Sequence, residues 1–514
     1  MAQLTELTPA RPDAWNRKGR LSVLFLSLFL AGLYASTLHS LGMLGWDESE
    51  YASLGRSVAR GDGFTVSERP SMLRPPLLPL AVAASLLVTG SQSDMAAKLP
   101  NLVFSILALL VLYWAMQRER DHLTGWIAAA FLGLMPIFWQ FTSRLLTEIP
   151  FMAFFTATIV GFYLGLYRND RYFYGSWIAV ALSMLTRYTA VLFAPIALCF
   201  TLFAMTNPDA RRRIKRRHFW LSPFAGLVLL LPWLLRQQIV FGNAVIGFET
   251  ASEQLQAFLP GVSMPWHFYL THLPAMVSPI LCMPLVVGIV WAFQSRDRFA
   301  LHCLFVVAFI LLWFSAYRFK EIRMATSTLP FLAIVAALGV TQATLPRALT
   351  KRWIGALAIF LIATLALSFV ANRSFFSRTV TLGYPSFTDA MHSLRKRAPK
   401  DAVLMGASLP QIFWYADRRV VDFPPEPDLF ASLARCDWVI VTNFERSQPP
   451  WVLRLPVKIT PEDVKDGNAM VFQSGLFSTV LIRADLLRKD LKPLVSADRN
   501  LEKVAAERRQ TDSK

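Results

Sequence analysis

The chain has 514 residues, of which 54% are hydrophobic and 17% charged, and its mean hydropathy is +0.41. A soluble domain carries about a quarter charged residues, whereas here the apolar residues recur in runs of roughly 17–21, long enough to cross a hydrocarbon core of about 30 Å. These features exclude a soluble multidomain protein. The net charge of +18 could suggest nucleic acid. However, the densest basic run, at 211–217, lies in a short loop between apolar segments, where it indicates the cytoplasmic side of a membrane.

The first apolar segment, at 21–41, follows a polar start with a basic cluster at 17–20. A cleaved signal peptide is one interpretation, because Ala35 and Ser36 are small residues near a possible cleavage point. The length of the segment and the many apolar runs after it favour an uncleaved signal anchor. The flanking positive charge then predicts a cytoplasmic tail at 1–20 and an external loop after the segment.

Further apolar segments are expected to span the membrane at 98–117, 124–141, 149–167, 174–187, 189–206, 219–235, 273–293, 299–317, 325–343 and 353–371. The loops that hold most of the intervening Arg and Lys then all fall inside. Residues 75–90 are apolar but short and open with two prolines, which favours a re-entrant or interfacial helix. The predicted fold is a polytopic α-helical membrane protein with about 11–13 transmembrane helices. Its membrane domain is 21–371, with a first external loop at 42–97.

The composition changes after residue 371. A helical pattern lies at 387–398, and short strand-like runs are separated by turn residues. The runs expected to form strands are 402–408, 418–423, 438–444 and 478–484. These patterns predict a small extracytoplasmic α/β domain at 372–485. The tail at 486–514 alternates charges and is expected to be a solvated helix or disordered.

The four cysteines show no CxxC spacing, and the seven histidines form no HxxxH pair. A disulfide framework or a zinc site is therefore not implied, and no cofactor is expected, although a divalent metal stays open. The chain also lacks a phosphate-binding loop of the GxxxxGKS type, which gives no support to an ATP-driven mechanism.

Acidic residues stand at two places expected to lie at the outer membrane boundary. Asp47 and Glu48 follow the first span, and Glu148 precedes the span at 149–167. Carboxylates at the bilayer surface are costly to desolvate, so their pKa can rise towards that of a general base. The alternative is a solvated polar loop with no catalytic role.

Four cations are expected at the same boundary, where the positive-inside rule does not require them: Arg74, Arg187, Lys320 and Arg323. Arg and Lys at helix ends can simply reach the interface. Together with outer carboxylates, however, they suit a lipid phosphate bound by charge-assisted hydrogen bonds. The combination predicts a reaction between a phosphate-linked lipid and an acceptor hydroxyl or amine, in which a carboxylate removes the acceptor's proton.

Four motifs carry a family resemblance, in the order WDESEYASLGRSVARGDGF, RPPLLPL, SRLLTEIPF and LTRYTAVLFAP. Their order over about residues 45–345 resembles membrane glycosyltransferases of the GT-C type. More closely, it is similar to glycosyltransferase family 39, with the protein O-mannosyltransferases and the lipid A aminoarabinose transferase. The resemblance implies a hexosyl- or pentosyltransferase of the bacterial inner membrane. Its donor would be a polyprenyl-phosphate sugar, used on the extracytoplasmic side with inversion at the anomeric carbon.

The resemblance also implies roles for single residues. Asp47 would be the catalytic base with Glu48 as its neighbour, and Glu148 stands where the family usually carries Asp. Arg56 matches a basic position in the loop helix, and Arg74 matches the basic-Pro-Pro signature. Both are expected to bind the carrier phosphate.

Two more segments match cationic positions of the family. Arg187 lies in the Leu-Thr-basic segment, and Lys320 and Arg323 belong to a basic-aromatic external segment. The family's Thr-Arg-Tyr after the acidic pair, typical of aminoarabinose transferases, is replaced here by Ser49-Glu50-Tyr51, which disfavours a simple lipid A modification enzyme. The expected acceptor is a lipid, a protein or a glycan, and a transporter or flippase of lipid-linked sugars is the alternative function.

Overall fold

The computed structural model describes residues 17–40, 42–43, 45–257, 263–344, 351–381, 384–445, 448–454 and 459–489. The chain divides into two compact units. The first unit joins Met1–Leu41 to Met72–Phe376, and the second joins Gly42–Ser71 to Ser377–Lys514. The start of the first external loop thus belongs to the same unit as the C-terminal residues, whereas the sequence pattern alone assigns it to the membrane domain.

The α-helices in chain order are α1 Arg17–Ala35, α2 Trp46–Arg60, α3 Leu77–Thr89, α4 Asp94–Glu119, α5 His122–Leu134, α6 Pro136–Thr142, α7 Glu148–Tyr167, α8 Tyr172–Met184, α9 Phe193–Ala204, α10 Pro208–Ile214, α11 Arg217–Phe241, α12 Ile246–Ala257, α13 Phe268–Val277, α14 Pro279–Ser295, α15 Arg298–Ser315, α16 Leu329–Leu338, α17 Lys351–Thr381, α18 Tyr384–Arg397, α19 Leu409–Ala416, α20 Leu429–Leu433 and α21 Pro461–Lys465. Short 3-10 helices precede α9 at Tyr188–Leu192 and α16 at Ile322–Thr328.

The predicted polytopic helical fold is confirmed. In the part of the chain that the structure describes, six helices are long and apolar enough to cross a membrane, or up to eight spans if each of two bent pairs counts as one. Shorter apolar helices lie at Leu21–Ala35, Leu77–Thr89 and Tyr188–Ala204. The larger number of about 11–13 spans stays a prediction, since it requires the shorter apolar helices to cross as well.

The two bent pairs have a common cause in the sequence. α5 and α6 meet at 68°, and α13 and α14 meet at 112°. In each pair a proline opens the second helix, and the residue before it leaves the helical region: Met135 has ψ 128° and Ser278 has φ 90° with ψ 135°. A residue before proline is disfavoured in the α conformation, so two segments that appear continuous by hydropathy are broken.

The apolar segment at 75–90 forms α3, a helix of 13 residues that ends at Gly90 in the left-handed conformation (φ 62°). At a rise of about 1.5 Å per residue its length is about 20 Å, shorter than a hydrocarbon core of about 30 Å. This length fits a helix that does not span the bilayer. Its re-entrant or interfacial placement stays a prediction.

Two helices of the first unit approach each other closely at glycines. A Cβ atom added to Gly288 of α14 would lie 2.0 Å from the carbonyl oxygen of Val335 in α16. A Cβ atom on Gly339, directly after α16, would lie 2.3 Å from the carbonyl oxygen of Pro284. Small residues of this kind allow transmembrane helix backbones to pack against one another.

Gly288→Ala is expected to lower the free energy of unfolding by about 1–3 kcal/mol, because the new methyl group must displace a helix backbone rather than a flexible side chain. Gly32→Ala in α1 is the matched control, since a Cβ atom there meets nothing within 4 Å among the described residues. Thermal unfolding in detergent measures both variants. A Gly288→Ala melting temperature equal to that of the control would contradict the close packing of α14 on α16.

The second unit contains the C-terminal α/β domain, and the prediction of such a domain is confirmed. Its strands, numbered after the short hairpin β1 Thr65–Val66 and β2 Arg69–Pro70, are β3 Val403–Met405, β4 Arg419–Val421, β5 Trp438–Thr442, β6 Ala469–Ser474 and β7 Phe477–Arg483. The sheet order is β4-β3-β5-β7-β6, with β3 parallel to β4 and β5, and β7 antiparallel to β5 and β6. Met405, Leu433, Val439 and Ile482 form its buried core.

The four predicted strands all form, and the helical pattern at 387–398 lies within α18 apart from its last residue. Strand β6 is the element that the sequence pattern misses, because its run begins apolar and ends in Gln473 and Ser474. It forms through a hairpin with β7, which turns at Gly475 with φ 59°. Most of the charged tail at 486–514 and of the N-terminal tail at 1–20 lies outside the described residues.

Candidate active site

Glu148 is the first residue of α7 and is buried, with 1% of its surface exposed. Its Oε1 accepts a hydrogen bond from Nη1 of Arg187, which lies directly before the 3-10 helix at 188–192. Its Oε2 is also buried and has no hydrogen-bond partner among the described residues. A buried carboxylate oxygen normally has a partner, so this atom is an available acceptor inside the first unit.

The turn before Glu148 is fixed by a neighbouring helix. The side-chain amide of Asn101 in α4 donates to the carbonyl oxygens of Arg144 and Leu146, the latter at 2.8 Å. Thr147 Oγ1 lies 3.5 Å from Nη1 of Arg187. The backbone on which Glu148 stands is therefore held in place by buried polar contacts.

Arg187 of this ion pair also lines a pocket in the first unit. Two arginines, Arg187 and Arg323, line it together with apolar side chains and hydroxyl groups. The other lining residues are Phe151, Phe155, Thr189, Leu192, Ile310, Phe314, Met324, Thr326 and Ser327. Guanidinium groups beside an aromatic and aliphatic wall suit a ligand with an anionic head and a hydrocarbon body.

The segment that carries Arg74 is fastened near Arg187. The backbone N–H of Leu77 donates to the carbonyl oxygen of Leu185 at 2.9 Å, two residues before Arg187. The amide of Gln237 donates to the carbonyl oxygen of Met72 at 2.8 Å. Arg74 itself is half-buried, so the first unit brings the segments of two predicted phosphate-binding arginines together.

Lys320 and Arg323 have different surroundings although they are close in sequence. Lys320 is buried, and its Nζ donates to the carbonyl oxygens of Met264 and Tyr317, the former at 3.0 Å. Arg323 lines the pocket, and its Nε lies 2.6 Å from Oε2 of Glu321. These contacts favour a structural role for Lys320, and its phosphate-binding role stays a prediction without further support.

The acidic pair lies in the second unit, in the first turn of α2. Oε2 of Glu48 accepts from the backbone N–H of Gly45 at 2.9 Å, and Oγ of Ser49 donates to the Gly45 carbonyl oxygen at 2.9 Å. The buried Glu48 carboxylate therefore caps the N-terminus of α2. Asp47 beside it is half-buried and remains the predicted base.

The predicted partner of Arg56 was the carrier phosphate, but in the structure Arg56 contacts other groups. Its side chain is 1% exposed, and its Nη1 donates to the carbonyl oxygen of Trp414 at 2.7 Å. Its Nη2 donates to the carbonyl oxygen of Phe413, and Asp417 lies 3.5 Å from Nη1. Because these groups occupy the guanidinium inside the second unit, the geometry does not favour contact with a carrier phosphate.

The sequence analysis did not predict the aromatic and hydroxyl side chains that line the pocket. Phe151 and Phe155 follow Glu148 on α7 and stack with their ring centroids 5.1 Å apart. Their spacing of four residues puts them on one helix face, a signal that was present in the sequence. Thr326 and Ser327, which also line the pocket, carry no comparable local signal.

No group of three His, Cys, Asp or Glu side chains that could hold a metal ion occurs among the described residues.

A family profile described as dolichyl-phosphate-mannose-protein mannosyltransferase matches residues 73–235. A comparison with curated protein sequences found no match. Among solved structures, ArnT from Cupriavidus metallidurans in the apo state is 14% identical, with a TM-score of 0.68, and the match covers 91% of this chain and 99% of that one. ArnT from the same organism bound to undecaprenyl phosphate gives a TM-score of 0.65 at 14% identity, covering 90% and 97%. An Archaeoglobus fulgidus oligosaccharyltransferase tethered to an acceptor peptide is 12% identical, with a TM-score of 0.54, covering 83% of this chain and 69% of that one.

These matches confirm the predicted resemblance to membrane glycosyltransferases of the GT-C type. At 12–14% identity the solved structures establish the fold. The family profile adds a sequence likeness over the segment that carries Arg74, Glu148 and Arg187. Over about nine-tenths of its length the chain therefore has the fold of ArnT, with a segment similar to the dolichyl-phosphate-mannose-protein mannosyltransferases.

Proposed function

We propose that the chain is a membrane glycosyltransferase that moves a sugar from a polyprenyl-phosphate donor to an acceptor on the extracytoplasmic side of a bacterial inner membrane. The observation that carries the proposal is the pocket in which Arg187 and Arg323 lie beside apolar side chains and the buried Glu148. A polyprenyl phosphate combines an anionic head with a hydrocarbon chain, a combination that suits this lining. The complex of ArnT from Cupriavidus metallidurans with undecaprenyl phosphate supports the assignment.

The donor would bind through its phosphate and its first isoprenoid units. Arg187 and Arg323 would donate charge-assisted hydrogen bonds to the phosphate oxygens, and Arg74 would approach from the segment fastened at Leu77. Phe151 and Phe155 would pack against the isoprenoid chain. Glu148 would hold Arg187 in place through one oxygen and offer the other to a sugar or acceptor hydroxyl.

In the reaction, Asp47 would remove the proton of an acceptor hydroxyl or amine while the acceptor attacks the anomeric carbon. The bond between that carbon and the phosphate oxygen breaks as the new bond forms, so the configuration inverts. Polyprenyl phosphate leaves with the bonding electron pair, and the arginines stabilise its additional negative charge. The proton remains on Asp47 until it passes to solvent.

Mass spectrometry of a strain that lacks the chain tests this proposal and identifies the substrates. Compared with wild type, the strain should accumulate one polyprenyl-phosphate sugar and lose the same sugar mass from one lipid, protein or glycan. Unchanged glycolipid and glycoprotein profiles would contradict the proposal. Donor accumulation confined to the cytoplasmic leaflet would point to a flippase instead.

A further inference from the structure

Helix α2 is joined to the C-terminal residues of the second unit by a buried arginine. The guanidinium of Arg56 donates to two consecutive carbonyl oxygens, of Phe413 and Trp414, at a sequence distance of 357–358 residues. It also lies over both aromatic rings, 4.8 and 4.9 Å from their centroids. Burial lowers the pKa of Arg56 to about 9 against the opposing effect of Asp417, so the group stays charged at neutral pH.

Asp417 forms ion pairs with Arg56 and with two neighbouring arginines. It ends α19 in the left-handed conformation (φ 53°), which Asp tolerates better than most residues. Its two carboxylate oxygens accept from Arg60 at 2.7 and 2.9 Å, and Arg395 lies 3.7 Å away. Burial alone would raise the pKa of Asp417, but the hydrogen bond from Arg60 and the neighbouring arginines hold it below its usual value.

Further hydrogen bonds join the loop to the C-terminal residues on both sides of Asp47. The backbone N–H of Met43 donates to the hydroxyl of Tyr415 at 2.6 Å, four residues before Asp47. Oγ of Ser53 donates to the carbonyl oxygen of Pro410 at 3.2 Å, six residues after it. Asp47 therefore lies between Met43 and Ser53, which both form hydrogen bonds with residues of α19.

We propose that Arg56, Asp417 and Tyr415 are positioning residues, through which the C-terminal domain sets the position of the Asp47 carboxylate for sugar transfer. This inference rests on the proposed function, because it takes Asp47 as the base. None of the three residues needs to touch the substrate. Their effect passes through α2, whose first turn carries Asp47 and whose later turns carry Arg56.

The physical reason is the sensitivity of proton transfer to geometry. A catalytic group displaced by about 1 Å can lose about 100-fold in rate. The only sheet in the described part of the segment at 42–71 is a two-stranded hairpin. A two-stranded hairpin is marginally stable by itself, so the contacts with α19 fix the helix.

Steady-state kinetics of Arg56→Met and Tyr415→Phe test the proposal. The variants are assayed in proteoliposomes with purified donor, and membranes supply the acceptor. We expect the kcat of Arg56→Met to fall about 10- to 100-fold, while the donor KM stays within about 2-fold because the proposed donor-binding arginines lie in the other unit. Arg56→Lys should recover part of the lost kcat, since it keeps the charge without the planar fork. Tyr415→Phe should show a smaller loss of the same kind.

Arg69→Ala is the matched control, because Arg69 also pairs with a C-terminal carboxylate but does so in solvent. Its Nη1 lies 2.7 Å from Oδ2 of Asp422, and the two side chains are 58% and 50% exposed. Exposed pairs contribute little to stability, so this variant should keep the wild-type kcat.

The outcomes separate this inference from the proposed function. Wild-type kcat in folded Arg56→Met, or a parallel fall of kcat, donor affinity and folded fraction, would overturn the positioning role. If Arg56→Met does not fold, a wild-type kcat in Tyr415→Phe would overturn it as well. Absence of transfer by the wild-type protein with its identified donor would instead overturn the proposed function.

Discussion

Asp47→Asn is expected to remove almost all sugar-transfer activity while the protein still folds and inserts into the membrane. Asn has nearly the same shape as Asp, and loss of the negative charge from the first turn of α2 costs only about 0.3–1 kcal/mol, but Asn cannot take the acceptor's proton. General base catalysis contributes about 10²- to 10⁴-fold, and we expect a loss of that size in kcat with little change in donor KM. The measurement is the initial transfer rate in proteoliposomes, normalised to folded protein.

Asp62→Asn provides the control for this change. Asp62 is exposed and follows α2 in the same loop, so the substitution alters the loop charge equally without removing the predicted base. It should retain the wild-type rate. Full activity in Asp47→Asn would contradict the proposed mechanism. Equal losses of activity in Asp47→Asn and Asp62→Asn would indicate an effect of loop charge.

Arg187→Gln is expected to have the second large effect, because it changes both the pocket and the buried ion pair. It removes a cation proposed to bind the donor phosphate and leaves the Glu148 carboxylate buried without its partner. Breaking a buried pair costs about 3–5 kcal/mol, and we expect about 1–3 kcal/mol here since Arg187 is one-fifth exposed. Donor kcat/KM should fall at least about 100-fold, which corresponds to roughly 2.7 kcal/mol.

The double variant Arg187→Gln/Glu148→Gln separates stability from function. Without a charged carboxylate to leave unpaired, it should regain most of the melting temperature that Arg187→Gln loses. Donor binding should remain weak, because the cation is still absent. If the double variant regains donor affinity together with stability, Arg187 is a structural residue and the proposed phosphate site is wrong.

Local sequence predicts the helices and strands of this protein better than the bends and contacts between them. Long apolar runs and short strand-like runs have lengths that identify helices and strands, so the helical unit and the C-terminal sheet were both predictable. The sequence shows Pro136 and Pro279 inside apolar segments, but it does not predict the angles of 68° and 112° at which the helices meet there. Strand β6 needs its partner β7 to form, which a local pattern does not show.

The candidate site was predictable by residue type and only partly by arrangement. Glu148 and Arg187 were expected at one membrane boundary, and the structure brings them into a direct ion pair. The contacts of Arg56 with Phe413 and Trp414 depend on a fold that joins residues 357–358 positions apart. A motif match could identify Arg56 as a basic position, but burial and partners decide what a basic residue does.

The most direct test of the central claim is donor consumption by the purified protein. The polyprenyl-phosphate sugar that accumulates in a strain lacking the chain is isolated, and membranes of that strain supply the unmodified acceptor. With wild-type protein in liposomes, mass spectrometry should show loss of the donor, release of polyprenyl phosphate and a matching gain of sugar on the acceptor. An intact donor that is merely redistributed between the leaflets would contradict a glycosyltransferase and support a transporter.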